Sequence, residues 1–510
     1  MKQYYLGIEF GSTRVKAVLI DGEHRIVKSG DYTWKSSLEN GVWTYHMEDV
    51  QTGLRTAIRN LGELPGAVSA MGISGMMHGY LAFDKDWNLL APFRTWQNTM
   101  TGEAAEQLTA EFGFNIPQRW SIAHLYQAVL NGEAHVKNIA HITTLAGYVH
   151  YLLTGENVLG VGEASGMFPI DSEALDYDAA MLEKFDALIA KYGFAWTARS
   201  VLPKVLTAGQ AAGALTQAGS TFLDGLLSAG IPFCPPEGDA GTGMTATNAV
   251  APRTGNVSAG TSIFAMVVLE KPLSKVYQEI DMVTTPSGKP VAMVHCNNCT
   301  NDMNAWVSLL GETAKLFGAE VSTGELFTKL YQKSLEGDAD CSGVLTYNYM
   351  EGEGITHLDE GRPMVVRKPE SSFTLANFLR SQLYATMSTL KLGMDILAEE
   401  HVAIDSLTGH GGLFKTPVVG QKYMAAACRA SVTCMESAGE GGPYGMALLA
   451  SYLVQKQDGQ TLEQYLETEI FADVKRTTLA PDPEDEAGFD RYLSWYRSAL
   501  AAENAAVKAF

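Results

Sequence analysis

Cysteine, positive charge and long apolar runs are all scarce in this chain, and each scarcity excludes something. Six cysteines in 510 residues are too few for a disulfide framework. Cys296 and Cys299 form a lone C-x-x-C without a second pair, so zinc lacks ligands, and buried thiols in a reducing cytoplasm are expected. Lys and Arg number 37 against 57 Asp and Glu, a net charge of −20. That balance argues against nucleic acid or an anionic membrane as the main partner. Any phosphate held here must rely on backbone N–H groups and a bound cation. No run of about 18 apolar residues occurs, so no membrane-spanning helix is expected. The N-terminus enters a strand directly, with no basic-then-apolar segment, and no secretory signal is expected. What remains is ordinary globular material: 46% hydrophobic, 18% charged, and too long for one core. Two domains of about 250 residues satisfy the limit on core growth.

The chain is organised around Leu6-Gly7-Ile8-Glu9-Phe10-Gly11-Ser12-Thr13-Arg14-Val15-Lys16. Tyr4 to Ile8 reads as a buried strand and Val15 to Ile20 as its return, joined by a tight Gly-Ser-Thr turn. Such a turn cradles phosphate oxygens, since nothing at Gly11 blocks close approach and successive amides point inward. An ordinary hairpin turn has the same look. A second copy, Gly255 to Ser262 followed by apolar Ile263 to Leu269, lies about half a chain away and implies two similar domains. Further strand ends carry polar groups. Val68 to Ser74 runs into Gly75-Met76-Met77-His78-Gly79, and Ile231 to Phe233 into Glu237-Gly238-Asp239-Ala240-Gly241. Ligands of open α/β sheets collect beyond the carboxyl ends of strands. Each has a plain alternative: a satisfied structural histidine for His78 and a helix N-cap for Asp239. Trp96 in Thr95-Trp96-Gln97-Asn98-Thr99-Met100 is either a sugar platform or a buried aromatic. Helices are expected over residues 47–61, 302–317, 323–335, 373–400 and 417–430, and from Glu440 onward.

With Gly409-His410-Gly411-Gly412, the order of motifs resembles that of the FGGY carbohydrate kinases, the pentulose kinases such as xylulokinase above all. The resemblance runs through nearly the whole chain. It implies an α/β fold of two actin-like, ribonuclease-H-like domains flanking a central cleft. Residues 1–248 would bind sugar and carry the base, residues 249–510 would bind adenosine, and a hinge would lie near Ala249–Thr254. It further implies ATP-dependent phosphorylation of a ketose, with Mg²⁺ as cofactor. Asp239 would be the catalytic base. Met77, His78, Gly79, Trp96 and Asp239 would bind the sugar, with His78 donating to a hydroxyl. Gly11, Ser12, Thr13, Lys16, Gly260, Thr261 and Ser262 would hold phosphates, Gly411 and Gly412 the adenosine, and Glu9 with Asp239 the metal. A homodimer is the expected assembly.

The chain departs from the family pattern at several places. Glu9 replaces an aspartate, Met76 a glutamine, Asn98 an aspartate, Met100 an arginine and Glu163 an asparagine. Xylulose, ribulose, rhamnulose and fuculose all remain open as substrates, and a nucleotide-binding regulator that has lost activity remains an alternative.

Overall fold

The structure, a computed structural model, describes residues 3–435 and 441–509. Its internal contacts divide the chain into two compact units. The first comprises residues 1–252, 270–291 and 440–473, the second 253–269, 292–439 and 474–510.

The first unit is built on a five-stranded sheet. Its strands are β1 (Tyr4–Phe10), β2 (Arg14–Asp21), β3 (Ile26–Thr33), β4 (Val68–Gly75) and β5 (Glu237–Gly238), arranged β5-β4-β1-β2-β3. β1 and β2 form the expected hairpin, while β4 lies parallel to β1, so that Phe10 and Gly75 end side by side. β5 lies parallel to β4 in turn, Glu237 opposite Ser74. Three neighbouring parallel strands thus deliver their carboxyl ends to one edge, the arrangement that gathers ligand groups. β1 is apolar at nearly every position because both faces of the sheet are covered. On one face α1 (Met47–Arg59) buries Val50, Leu54, Ala57 and Ile58 against β2 and β3. These positions recur at helical spacing, and Glu48 and Asp49 in the first turn complement the helix dipole. Across β1 and β4 runs the helix Gly441–Gln455, so close that a Cβ at Gly7 would stand 2.0 Å from the Pro443 carbonyl. Residues 102–206, whose sequence reads as helical patterns alternating with short loops, also contain short strands at His141–Thr143 and Val158–Gly160. Three residues give too short a period for sequence pattern to register.

The second unit repeats the plan. β6 (Thr254–Ala259) and β7 (Ile263–Val268) form the second hairpin, with β8 (Pro290–Cys296) beside β7. β9 (Ser406–His410) lies parallel to β6, and β10 (Ser431–Met435) and β11 (Arg476–Leu479) follow. The expected helix over 373–400 is α4 (Leu375–Glu399), started by Thr374, whose hydroxyl accepts the Asn377 N–H. Arg380 on α4 is buried, its guanidinium donating to the Gly337 carbonyl, to the Tyr384 hydroxyl and to Asp485. The expected helix over 417–430 is α5 (Val419–Cys428). Glu440 lies outside the described residues. All six cysteines are free thiols, Cys296 and Cys299 fully buried. Among the described residues no helix is long and apolar enough to cross a membrane.

Candidate active site

In the first unit the β1–β2 turn is fixed from below. Gly11 N–H donates to the Arg14 carbonyl at 3.0 Å, Trp34 Nε1 to the Gly11 carbonyl at 2.7 Å and the Tyr45 hydroxyl to the Ser12 carbonyl at 2.6 Å. With its carbonyls and the Gly11 N–H engaged by the core, the turn has the Ser12 and Thr13 N–H groups to offer an anion. Trp96 is no buried aromatic: it is 39% exposed, and its indole N–H reaches Ser12 Oγ at 3.3 Å. Asn98, by contrast, is structural. Its Oδ1 accepts the Trp43 N–H and its Nδ2 donates to the Trp43 carbonyl, both at 2.8 Å, which an aspartate cannot do in both directions.

Met76 N–H donates to the Phe10 carbonyl at 3.0 Å, tying the end of β4 to the end of β1. The chain then reverses through two consecutive left-handed residues, His78 at φ 68° and Gly79 at φ 88°. For histidine this conformation costs on the order of 1 kcal/mol or more, and such strain clusters at functional loops. His78 is buried, stacked on Trp120 at 6.1 Å, with Nδ1 3.0 Å from the Gly166 carbonyl. A carbonyl only accepts, so Nδ1 carries the proton. Desolvation, helped by the Arg119 charge, lowers the ring to about 3. The imidazole is therefore neutral and Nε2 presents a lone pair. In that state Nε2 can accept from a hydroxyl and cannot donate to one, the reverse of the polarity expected from sequence.

Asp239 opens the helix α3 (Asp239–Ala246); the N-cap is Gly238, so the capping alternative does not hold. Asp239 Oδ1 accepts the Ala240 N–H at 2.9 Å and the Met77 N–H at 3.3 Å, joining the Glu237–Gly241 loop to the Met76–Gly79 loop. Although solvent reaches it, the surrounding loops exclude most of its water. That desolvation outweighs the backbone N–H groups and raises the carboxyl to about 6.

Nor is Asp239 the isolated carboxylate that its sequence neighbours imply. Glu9 faces Lys16 across the hairpin. Burial and the Asp239 charge, opposed by Lys16, push the Glu9 carboxyl up to about 8. Glu9 Oε2 is buried without a hydrogen-bond partner and lies against Gly442, where a Cβ would stand 1.6 Å away. Behind the Asp239 loop are two further carboxyls that sequence reasoning missed. Glu237 is buried and raised to about 8 by desolvation, and Glu163, also buried, is raised well above the carboxylate range for the same reason. Charged residues ordinarily mark solvent, and only the flanking Gly160, Gly162 and Gly238 hint that something packs there. Among the described residues no three His, Cys, Asp or Glu side chains form a metal cage.

In the second unit the Gly260-Thr261-Ser262 turn and Gly411-Gly412 come together at the carboxyl ends of adjacent β6 and β9. The Gly260 carbonyl accepts from Thr300 Oγ1 at 2.7 Å and the Thr261 carbonyl from the Cys299 N–H at 3.0 Å, again fixing a turn through its carbonyls. Gly411 has φ 97°, and a Cβ there would stand 2.4 Å from the Ala259 carbonyl. Only glycine fits that crossing.

Sequence comparison decides what the repeated turns and the Asp239 loop belong to. Residues 4–245 match the N-terminal-domain model of the FGGY family of carbohydrate kinases, and residues 255–454 match the C-terminal-domain model. The chain belongs to the FGGY family. It is a carbohydrate kinase with the actin-like two-domain fold, and ATP is the donor that goes with the family. A xylulose kinase of Haemophilus influenzae is 22% identical over 513 residues, covering 96% of this chain and 99% of its own. A xylulose kinase structure from Lactobacillus acidophilus has TM-score 0.81 at 16% identity, covering 98% and 99% of the two chains. A gluconate kinase from the same organism has TM-score 0.80 at 17% identity, covering 99% of each. Two kinases of different sugars thus fit this fold equally well, so backbone likeness carries the fold and leaves the sugar to the side chains.

Proposed function

We propose that this kinase phosphorylates the terminal hydroxyl of a ketose, a pentulose such as xylulose. The observation that carries the reading is Asp239, pinned through Oδ1 by two backbone N–H groups and raised to about 6. Pinning one oxygen leaves the other for the substrate hydroxyl, and a base of that strength is largely ionised at neutral pH yet still basic. Asp239 takes the hydroxyl proton as the γ-phosphoryl transfers, a reaction in which positioning and charge neutralisation do most of the work. His78 Nε2 accepts a second hydroxyl, and the exposed face of Trp96 covers the C–H side of the sugar. The turns Gly11-Ser12-Thr13 and Gly260-Thr261-Ser262, with Lys16, are assigned to phosphate oxygens, and Gly411 and Gly412 to the adenosine.

The residues fit Mg²⁺: Glu9 offers an orphaned carboxylate oxygen near Asp239, and Mg²⁺ takes one or two carboxylates with phosphates and waters. When bound, Mg²⁺ would neutralise phosphate charge.

The test is ADP release over a panel of ketoses, polyols and gluconate. Highest kcat/KM with xylulose supports the reading, and ribulose, rhamnulose or fuculose as best substrate moves it within the ketoses. Preference for gluconate overturns the ketose assignment. ATP binding without release for any compound favours the regulator.

A further inference from the structure

The carboxyl of Glu237 sits in a clasp of backbone. Its Oε2 accepts the Glu163 N–H at 2.9 Å, and a Cβ at Gly160 would stand 2.1 Å from Oε1, one at Gly162 2.5 Å from Oε2. The helix α3 closes the clasp, Gly241 lying so that its Cβ would be 3.4 Å from Oε2. The same segment reaches the loop a second time through the Gly160 N–H, which donates to the Pro236 carbonyl at 2.8 Å. That segment includes the short helix α2 (Val161–Ala164), itself held from the far side. The Thr284 hydroxyl donates to the Val161 carbonyl at 3.0 Å, and Ser165 Oγ accepts the Thr284 N–H at 3.0 Å. Glu237 and Asp239 are separated by Gly238 alone, a residue with no side chain to fix the turn.

We propose that Glu237 is a positioning residue for Asp239: its carboxyl, gripped by Gly160, Gly162 and the Glu163 N–H, fixes the loop that aims the base. A buried polar group is costly unless it is engaged, so losing the acceptor of the Glu163 N–H loosens the segment that grips the loop. The consequence for catalysis is geometric. Without the clasp the loop keeps its β5 pairing and the Met77 contact but gains freedom at Gly238, and Asp239 drifts from the hydroxyl.

The inference rests on the kinase reading above, and the experiment separates the two. Steady-state rates with the best sugar of the panel are measured for wild type, Asp239→Asn, Glu237→Ala, Glu237→Gln, Gly160→Ala and the Glu237→Ala/Gly160→Ala double variant, with thermal unfolding as a check on folding. Glu237→Ala should lower kcat by about 10²-fold with little change in either KM, the scale expected of a 1 Å misplacement. Glu237→Gln keeps an acceptor for the Glu163 N–H and should restore most of that loss. Gly160→Ala drives a methyl into Oε1 and should reproduce it. In the double variant the methyl occupies the space the carboxyl left, so kcat should be no lower than in the worse single variant, whereas independent losses would multiply to about 10⁴-fold. Near-wild-type kcat in Glu237→Ala, a loss confined to KM, failure of Glu237→Gln to rescue, or multiplied losses in the double variant each overturns the proposal while leaving the kinase standing. A wild type that turns over no sugar overturns the sugar-phosphorylation reading, a fully active Asp239→Asn removes Asp239 as the base, and either takes this inference with it.

Discussion

Acidification is the perturbation that reads the environment of Asp239 most directly. An aspartate at its ordinary value of 3.8 stays ionised down to about pH 5, and a rate that depends on it would be flat from pH 5 to 8. Here desolvation raises the carboxyl to about 6 against three backbone N–H groups, its own included, that pull the other way. The base form is then roughly 90% populated at pH 7, half at pH 6 and about 10% at pH 5. The value of kcat/KM, which reports the free enzyme, should therefore fall roughly tenfold between pH 7 and pH 5, with unit slope below the midpoint. ADP release at limiting sugar and saturating ATP measures it, with rates returned to pH 7 as a check against acid unfolding. Asp239→Asn should lose at least about 10²-fold in kcat at pH 7, and its residual rate should show no limb near pH 6. A flat wild-type profile from pH 7 to 5 would refute the argument that the surrounding loops desolvate this group. An identical limb in wild type and Asp239→Asn would refute its assignment to Asp239.

Three further outcomes follow from neighbouring geometry. Glu9→Gln should raise the Mg²⁺ concentration needed for half-maximal rate, while Glu9→Asp, which restores the family residue, should be tolerated; equal metal dependence in all three proteins removes Glu9 from the metal site. His150 is buried, donates Nε2–H to the Ala212 carbonyl at 2.8 Å and is lowered to about 4 by desolvation. Below the unfolded value of 6.5 the unfolded chain takes a proton the folded one refuses, so stability is complete above that pH and falls toward pH 4, by about 2 kcal/mol at pH 5. Urea unfolding of His150→Gln should show a correspondingly smaller drop from pH 7 to 5, and an unchanged drop contradicts the assignment. Gly411→Ala must relieve both φ 97° and the 2.4 Å approach to the Ala259 carbonyl by moving the loop. ATP affinity by calorimetry should fall about tenfold or more, the equivalent of 1–3 kcal/mol of backbone strain, and unchanged affinity would detach Gly411 from the nucleotide.

Much of the fold was legible because its strongest signals are local. Both hairpins announce themselves as apolar runs around a Gly-Ser/Thr turn, and α1 and α4 as long periodic stretches whose buried positions recur at helical spacing. The three-residue strands within 102–206 were not legible, since a period of two cannot be told from chance over so few residues. Nor did the sequence indicate that residues 270–291 and 440–473 join the first unit, because long-range contacts leave no periodicity. The helix Gly441–Gln455 was recognisable as a helix. What it lies against became visible only through Gly7 and Gly72, where a Cβ would strike Pro443 and Met446.

The site was legible as an ordered set of motifs and not as an environment. His78 was found from its place at a strand end, but its polarity depends on the Gly166 carbonyl, 88 residues away, which takes the Nδ1 proton. Asp239 was singled out too, but the acids its charge acts on come from distant parts of the chain and leave no local signal. Its charge acts on other acids, Glu9 and Glu163, brought in by β1 and α2, and Glu163 in turn feels Glu237 on β5. That company has a physical consequence. Acids this close and this buried cannot all ionise, so the protein holds several of them protonated at neutral pH and leaves charge where solvent and metal reach it. Asp239, still reached by some solvent and supplied with two N–H donors, is the member of the group best able to stay ionised, while Glu163 and Glu237, sealed behind it, are the ones that keep their protons. Which of these acids keeps its charge is therefore set by access and by backbone donors, neither of which a residue's identity reveals.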